Sequence, residues 1–343
     1  MTVILDPFAG DGYSLAELTR GINLLPNLYG RVGEMNLMPI EGVTQRTVIV
    51  ERYQGVLNLL PTMPLGAPGT TGKSGKGALR NFTVPHIPHD DVVLPEDVQG
   101  KRAFNSADGT DAQAMLIARR LQTMRNKHAI TLEHLRMGAL KGIILDADGS
   151  TLFNLYTEFG IVQKTVDFVL GTAGTEVAEK VREVIRHIED NLLGEVMAGV
   201  QVLVSQEFFD KLIRHANVKE AFKYYSSQVE PLREDARRRF PYAGVLFEEY
   251  RGTATQLNAD GTTTARRFIA SGDGHAFPVG TTESFKTYAA PADFNETVNT
   301  IGLELYAKLE ERKFGRGWDL HTQSNPLPLC RRPEMLVRVF SSN

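Results

Sequence analysis

The residues that most resemble chemical machinery are APGTTGKS, positions 67–74, which fit the relaxed phosphate-loop pattern of a small residue, four free positions and Gly-Lys-Ser. A working phosphate loop joins a buried strand to a helix, because the N–H groups at the helix start hold the phosphates. Here LPTMPLG leads in with two prolines, and Gly75, Gly77 and Pro85 leave no room for a useful helix afterwards. Context therefore favours a glycine-rich, basic hairpin tip carrying Lys73 and Lys76, with nucleotide binding as the competing reading.

HIPHDD, residues 86–91, brings His86, His89, Asp90 and Asp91 within six positions, a composition that suits a metal. On an extended chain His86 and Asp90 share one face, while His89 and Asp91 share the other. That split argues against a single compact metal site and for a proline-spaced polar segment held by contacts. DADGST (146–151) carries glycine at its fourth position, where a calcium loop needs it at the sixth, and reads as a turn. Cys330 and His321 are separated by Pro326 and Pro328 with nothing to build an oxyanion hole, so the cysteine reads as an inert thiol. The run RRRF (237–240) follows Glu234 and Asp235 and reads as a solvated helix end, with weak phosphate contact as the functional alternative. His128 falls on an apolar helical stripe, as a satisfied interior or interface histidine would. No catalytic, cofactor-binding or metal residue is assigned, and an enzyme is not expected.

The 343 residues suffice for one large domain or two ordinary ones, and 42% hydrophobic with 23% charged residues is an ordinary globular balance. Thirty-eight basic residues against 41 acidic ones give a net charge of −3, so no global field draws the chain to nucleic acid or membrane. One cysteine excludes an internal disulfide and fits a reducing compartment. The opening MTVILDPFAGDG has acid and proline where a signal peptide needs basic and apolar residues, and no apolar run approaches a membrane span. The expectation is a soluble protein made in a cytoplasm.

The elements that must position these residues are unusual in their order. Residues 1–45 are broken by Gly and Pro and read as an extended arm, with a short helix over 14–20 capped by Ser14 and Glu17. TVIVERYQGVLNLL and ALRNFTVPHIP form the legs of a long hairpin, whose Pro85 and Pro88 belong on an edge. The strongest periodicity follows, from Thr110 or Asp111 to about Lys141, where Ile117, Leu121, Met124, His128, Leu132 and Leu135 draw one stripe. GIILDADGSTLFNLYTEF reads as a hairpin turning at Asp148-Gly149. Helix over 175–193, strand over 199–204 and helix over 206–216 come next. Shorter strands are expected over 245–250, 266–270, 303–313 and 335–340, with a further turn at Asp260-Gly261. Mixed elements without βαβα alternation make the fold class α+β.

Two long strings then carry a resemblance: FTVPHIPHDDVVLPEDVQGKRAF (82–104), and YAAPADFNETVNTIGLELYAK with LHTQSNPLPLCRRPEMLVRV near the C-terminus. With the order of parts, they resemble the major capsid proteins of tailed bacteriophages, in the protein E family typified by phage lambda. The resemblance implies the Hong Kong 97-type fold. It casts residues 1–45 as N-terminal arm, 46–108 as E-loop and 109–175 as P-domain with its spine helix and hairpin. It casts 176–297 as A-domain, 298–330 as the P-domain strand return and 331–343 as a C-terminal strand of the A-domain.

The function so implied is a major capsid protein forming hexamers and pentamers of an icosahedral shell around double-stranded DNA. Scaffold, portal and decoration proteins are the implied partners, and assembly in the host bacterial cytoplasm is the implied setting. Contact with the packaged DNA is non-specific and no membrane is involved. Lys73, Lys76, His86, His89, Asp90 and Asp91 become candidate contacts to neighbouring subunits or a decoration protein. Some relatives of the fold weld subunits through a lysine–asparagine bond, but protein E relatives generally use a decoration protein, so no cross-link is expected. The alternatives are an encapsulin-like nanocompartment, which would hold protein cargo and no DNA, and a phosphate-loop nucleotide-binding enzyme.

Overall fold

The computed structural model describes residues 15–24, 30–52, 78–98, 109–225, 237, 239–257 and 262–343. Helices α1 (Leu15–Leu24) and α2 (Arg31–Glu34) precede strands β1 (Ile40–Gly42), β2 (Thr47–Arg52), β3 (Ala78–Thr83) and β4 (Ile87–Val93). After α3 (Pro95–Val98) come α4 (Gly109–Lys141), β5 (Ile143–Leu145), β6 (Thr151–Asn154), α5 (Leu155–Phe159) and β7 (Lys164–Asp167). Then follow α6 (Val177–Asn191), β8 (Gly199–Val204), α7 (Gln206–Arg214) and α8 (Ala216–Tyr225). The rest is strand: β9 (Phe240–Tyr242), β10 (Val245–Glu249), β11 (Thr253–Leu257), β12 (Thr263–Arg267) and β13 (Asp273–Val279). β14 (Phe285–Ala289), β15 (Tyr306–Glu311), β16 (Trp318–Ser324), β17 (Pro326–Cys330) and β18 (Val337–Phe340) complete it. The class is α+β.

The chain forms two units, the first from Met1–Val48, Phe82–Glu133 and Thr287–Pro328. Its sheet runs β15–β16–β4, antiparallel throughout. β4 is an edge, where Pro88 does no harm to the ladder. The N-terminal part of α4 belongs here, and 33 residues give the whole helix a length of about 50 Å. It starts at Gly109, just before the caps expected from sequence, and all six positions of the apolar stripe are buried. Ile117, Leu121 and Met124 pack with Leu18 and Ile22 of α1 and with Val93, Leu305, Ala307 and Leu320 of the sheet. Burying each such aliphatic side chain contributes roughly 1.5–3 kcal/mol.

The second unit comprises Ile49–Asn81, His134–Lys286 and Leu329–Asn343. Its six-stranded sheet has the order β7–β18–β13–β8–β10–β9. β8 runs parallel to β10 and β18 parallel to β7, while β13 is antiparallel to both its neighbours. β8 is buried from its second residue onward, as a central strand covered on both faces must be. α6 buries Val177, Val181, Val184 and Ile188, one stripe at helical spacing. α7 is capped by Ser205, whose hydroxyl accepts from Phe208 N–H at 3.3 Å. Phe208 then meets Phe168 edge-on, at 5.4 Å between ring centroids.

Several expectations need correction. The leg ALRNFTVPHIP is not one strand: β3 pairs with β2, stops at Thr83, and the chain joins β16 as β4. Pro85 at the break cannot extend a ladder. LYTEF is helix, because Asn154 Oδ1 caps Tyr156 and Thr157 N–H and Gly160 closes the turn at φ 64°. The helix begun at Gln206 ends at Arg214 and a separate α8 follows. The strand expected over 266–270 lies at Thr263–Arg267, and the late strand is Tyr306–Glu311, shorter than 303–313. The capping role of Ser14 and the Asp260-Gly261 turn lie outside the described residues. Among the described residues no helix is long and apolar enough to cross a membrane.

Candidate functional site

β4 presents HIPHDD antiparallel to β16, placing Asp90 opposite His321, His89 opposite Thr322 and Pro88 opposite Gln323. Strand alternation sends the four candidates two ways, as the sequence implied. On one face Asp90 contacts His321 Nδ1, and the His321 ring meets Phe294 edge-on at 5.6 Å. His86 Nδ1 lies 3.1 Å from Asn325 Oδ1. With its amide nitrogen turned to Asp293, Gln323 donates to Asp293 Oδ1 at 2.6 Å and accepts from His86 Nδ1 at 3.0 Å.

On the other face, towards α4, Lys127 Nζ donates to His89 Nε2 at 3.0 Å. Burial and then the Lys127 charge lower the His89 pKa, against the opposing pull of Asp91 and Asp90. Asp91 pairs with Arg120 at 3.3 Å, and Arg120 reaches Asp97 at 3.9 Å. The four residues thus tie an edge strand to its sheet and to α4 rather than converging on a point. Among the described residues no group of three or more His, Cys, Asp or Glu side chains could hold a metal ion.

His128 completes this face from the helix. Thr322 Oγ donates its proton to His89 O at 3.1 Å, so it accepts from His128 Nε2–H at 3.0 Å. His128 Nδ1 then accepts from Ser324 Oγ–H at 2.8 Å. The imidazole is neutral and saturated, and burial, reinforced by His89, His321, Arg125 and Lys127, pushes its pKa down to about 3.

Two carboxylates that sequence reasoning missed act as anchors. Glu133, 2% exposed, accepts from Val32 N–H at 2.8 Å and from Gly33 N–H at 3.1 Å. Gly30, at φ 112°, makes room for it, since a Cβ there would lie 2.6 Å from Glu133 Oε2. Glu195 accepts from the N–H groups of Thr282 and Glu283, both at 2.7 Å, and from the Ser284 hydroxyl. The signal for Glu133 was available in principle: a carboxylate between Leu132 and Leu135 of a buried helix needs donors.

The remaining motifs have structural roles. DADGST is a turn, with Asp146 N–H donating to Ser150 O at 2.8 Å and Gly149 at φ 87°. Cys330 is fully buried, which pushes its thiol pKa up. Of RRRF, Arg239 directly precedes β9 and Arg237 O accepts from Glu249 N–H at 2.7 Å, while the residues before Arg237, on which a helix end would depend, lie outside the described residues. Residues 67–74, with Lys73 and Lys76, lie outside the described residues.

The family described as phage major capsid protein E matches residues 14–341. The major capsid protein of Pseudomonas phage KPP10 is 33% identical over 347 residues, covering 97% of this chain and 98% of the relative. That of Salmonella phage Felix O1 is 29% identical over 356 residues, covering 95% and 96%. Among solved structures, a prophage capsid protein of E. coli CFT073 matches with a TM-score of 0.59 at 13% identity, covering 96% of this chain and 99% of that one. A chain from the mature capsid of bacteriophage PhiM1 gives 0.52 at 14% identity, covering 93% and 89%.

Proposed function

Because the chain belongs to the phage major capsid protein E family, we infer that its copies close into the hexamers and pentamers of an icosahedral shell around double-stranded DNA. Membership itself makes the chain a phage major capsid protein of Hong Kong 97-type fold, a structural protein of the virion that assembles with copies of itself and not an enzyme. The observation that carries the finer reading is the full-length match to phage capsid proteins. It favours a virion shell over a protein nanocompartment.

The two units agree with part of the proposed division into domains, although residues 134–175, cast with the P-domain, fall in the second unit and 82–93, cast with the E-loop, fall in the first. The sheet β15–β16–β4 with α1 and the N-terminal part of α4 suits a P-domain with its spine helix. The six-stranded sheet suits an A-domain, and β18 within it suits the assignment of the last residues there. Assembly on a scaffold in the host bacterial cytoplasm, joining to a portal and later binding of a decoration protein complete the reading. A net charge of −3 suits a container that holds DNA without gripping it. Of the described candidate contacts, Asp90 keeps the most free surface, its side chain 75% exposed, and His86, His89 and Asp91 would act from their β4 anchorage. Lys73 and Lys76 remain proposed contacts on the E-loop.

Co-expression with the neighbouring phage genes, followed by sedimentation and nuclease protection, tests this. The expected product is a fast-sedimenting particle that shields double-stranded DNA once the packaging proteins are present. Particles that hold a protein cargo and never DNA would support the nanocompartment instead.

A further inference from the structure

Arg125 lies on α4 in the first unit and is only 7% exposed. Its Nε is shut off from solvent with no acceptor, and the guanidinium has no hydrogen bond or ion pair among the described residues. A nearly buried arginine with an orphaned Nε is a cost to the free subunit. Arg125 lines a cleft with His128, Leu132, Glu304, Leu305 and Pro326. His128 offers nothing, because Thr322 and Ser324 already saturate it. Glu304 shares the cleft without reaching ion-pair distance of Arg125.

The chain leading into Glu304 is an apolar ribbon that faces solvent: Val298 is 65% exposed, Ile301 66% and Leu303 47%. The ribbon is held firmly. Gly302 N–H donates to Val43 O at 3.0 Å, and its backbone runs so close to Ala289 that a Cβ would meet the Ala289 carbonyl oxygen at 2.0 Å. Leu303 N–H donates to Tyr306 Oη at 2.9 Å, and Thr297 Oγ donates to Ala292 O at 2.7 Å. An exposed apolar surface already fixed in place loses little entropy when covered, which is the signature of an interface.

We propose that this cleft and ribbon are a docking surface for a second copy of the chain, which covers Val298, Ile301 and Leu303 and inserts a carboxylate that pairs with Arg125. The proposal rests on the shell-forming reading, which supplies the second copy. The unpaired guanidinium supplies the sign of the entering group, since a carboxylate can take two of its N–H donors at once. An arginine with an orphaned Nε in the free subunit and an ion-pair partner in the shell biases the chain towards assembly.

Arg125→Leu, Ile301→Ser and Glu304→Gln are compared by two readouts: the thermal midpoint of the unassembled subunit and the yield of shells by sedimentation. Arg125→Leu is expected to leave the midpoint unchanged or raise it, while cutting shell yield at least tenfold. Ile301→Ser, altering an exposed position, is expected to keep the midpoint and lower the yield likewise. Arg125→Leu and Glu304→Gln lowering the midpoint equally would show an internal ion pair and overturn the proposal. Variants that form shells like the wild type would overturn it alone, whereas wild-type protein that never forms shells would overturn the shell reading and the proposal with it.

Discussion

Acidification from about pH 7.5 to about pH 5 is expected to destabilise the unassembled subunit by about 4 kcal/mol, through two histidines buried in different units. Burial, then its charged neighbours, pushes His128 down to about 3; burial, then Lys141 and Arg338, does the same for His275. In the unfolded chain both titrate near 6.5. Because the native state refuses a proton that the unfolded state accepts, stability is complete above about 6.5 and is lost as the pH falls towards 3. Over the stated interval each unfolded imidazole goes from mostly neutral to almost fully protonated, which amounts to about 2 kcal/mol per histidine. His89 and His134, also lowered chiefly by burial, add to the loss with the same sign. Urea unfolding at both pH values measures it. His128→Gln weakens the protein at neutral pH, since Thr322 and Ser324 lose their partner, yet its further loss on acidification shrinks by about 2 kcal/mol. A variant that loses as much as the wild type over that interval would show that His128 does not carry this acid sensitivity.

Other perturbations read the remaining anchors. Glu195→Ala is expected to cost about 1–2 kcal/mol in chemical denaturation at neutral pH, because it removes charge-assisted hydrogen bonds to the exposed Thr282 and Glu283 N–H groups, which water replaces only in part, and takes from Arg332 its carboxylate at 3.5 Å while the Leu192 carbonyl contact stays. Burial raises the Glu195 pKa, but those hydrogen bonds outweigh it and hold the carboxyl below its ordinary range. Its stabilisation is therefore present above the unfolded value of about 4.3 and fades as the pH falls through it. Gly302→Ala is expected to cost about 3 kcal/mol, read as a lowered thermal midpoint, since the new methyl would collide with backbone rather than with a side chain that could turn aside. Cys330 is expected to stay silent towards a thiol reagent in native protein and to react stoichiometrically in denaturant.

What could be read from sequence was what depends on local pattern. The stripe on α4 and strand β8 at Gly199–Val204 are written in short-range periodicity, and the Asp148-Gly149 turn in backbone preference. The placement of His128 followed too, because a histidine on an apolar stripe must find polar partners indoors. Strand partnership was not legible. β4 pairs with β16 more than two hundred residues later, and β18 enters the larger sheet between β7 and β13. No local signal encodes such distant pairings. α5 was missed because LYTEF suits a strand equally well, and the capping by Asn154 decides the matter. Of the candidate site, the two-faced split of HIPHDD was visible in advance, whereas the Arg120, Lys127 and Asn325 partners were not.

The central claim is that copies of this chain build the shell, and electron cryomicroscopy of particles from co-expression with the neighbouring phage genes tests it most directly. The expected result is closed shells with five-fold and six-fold clusters, each subunit fitting the two sheets and the long α4 helix described above. Protein that stays monomeric under those conditions, forming no hexamers, sheets or shells, would contradict it.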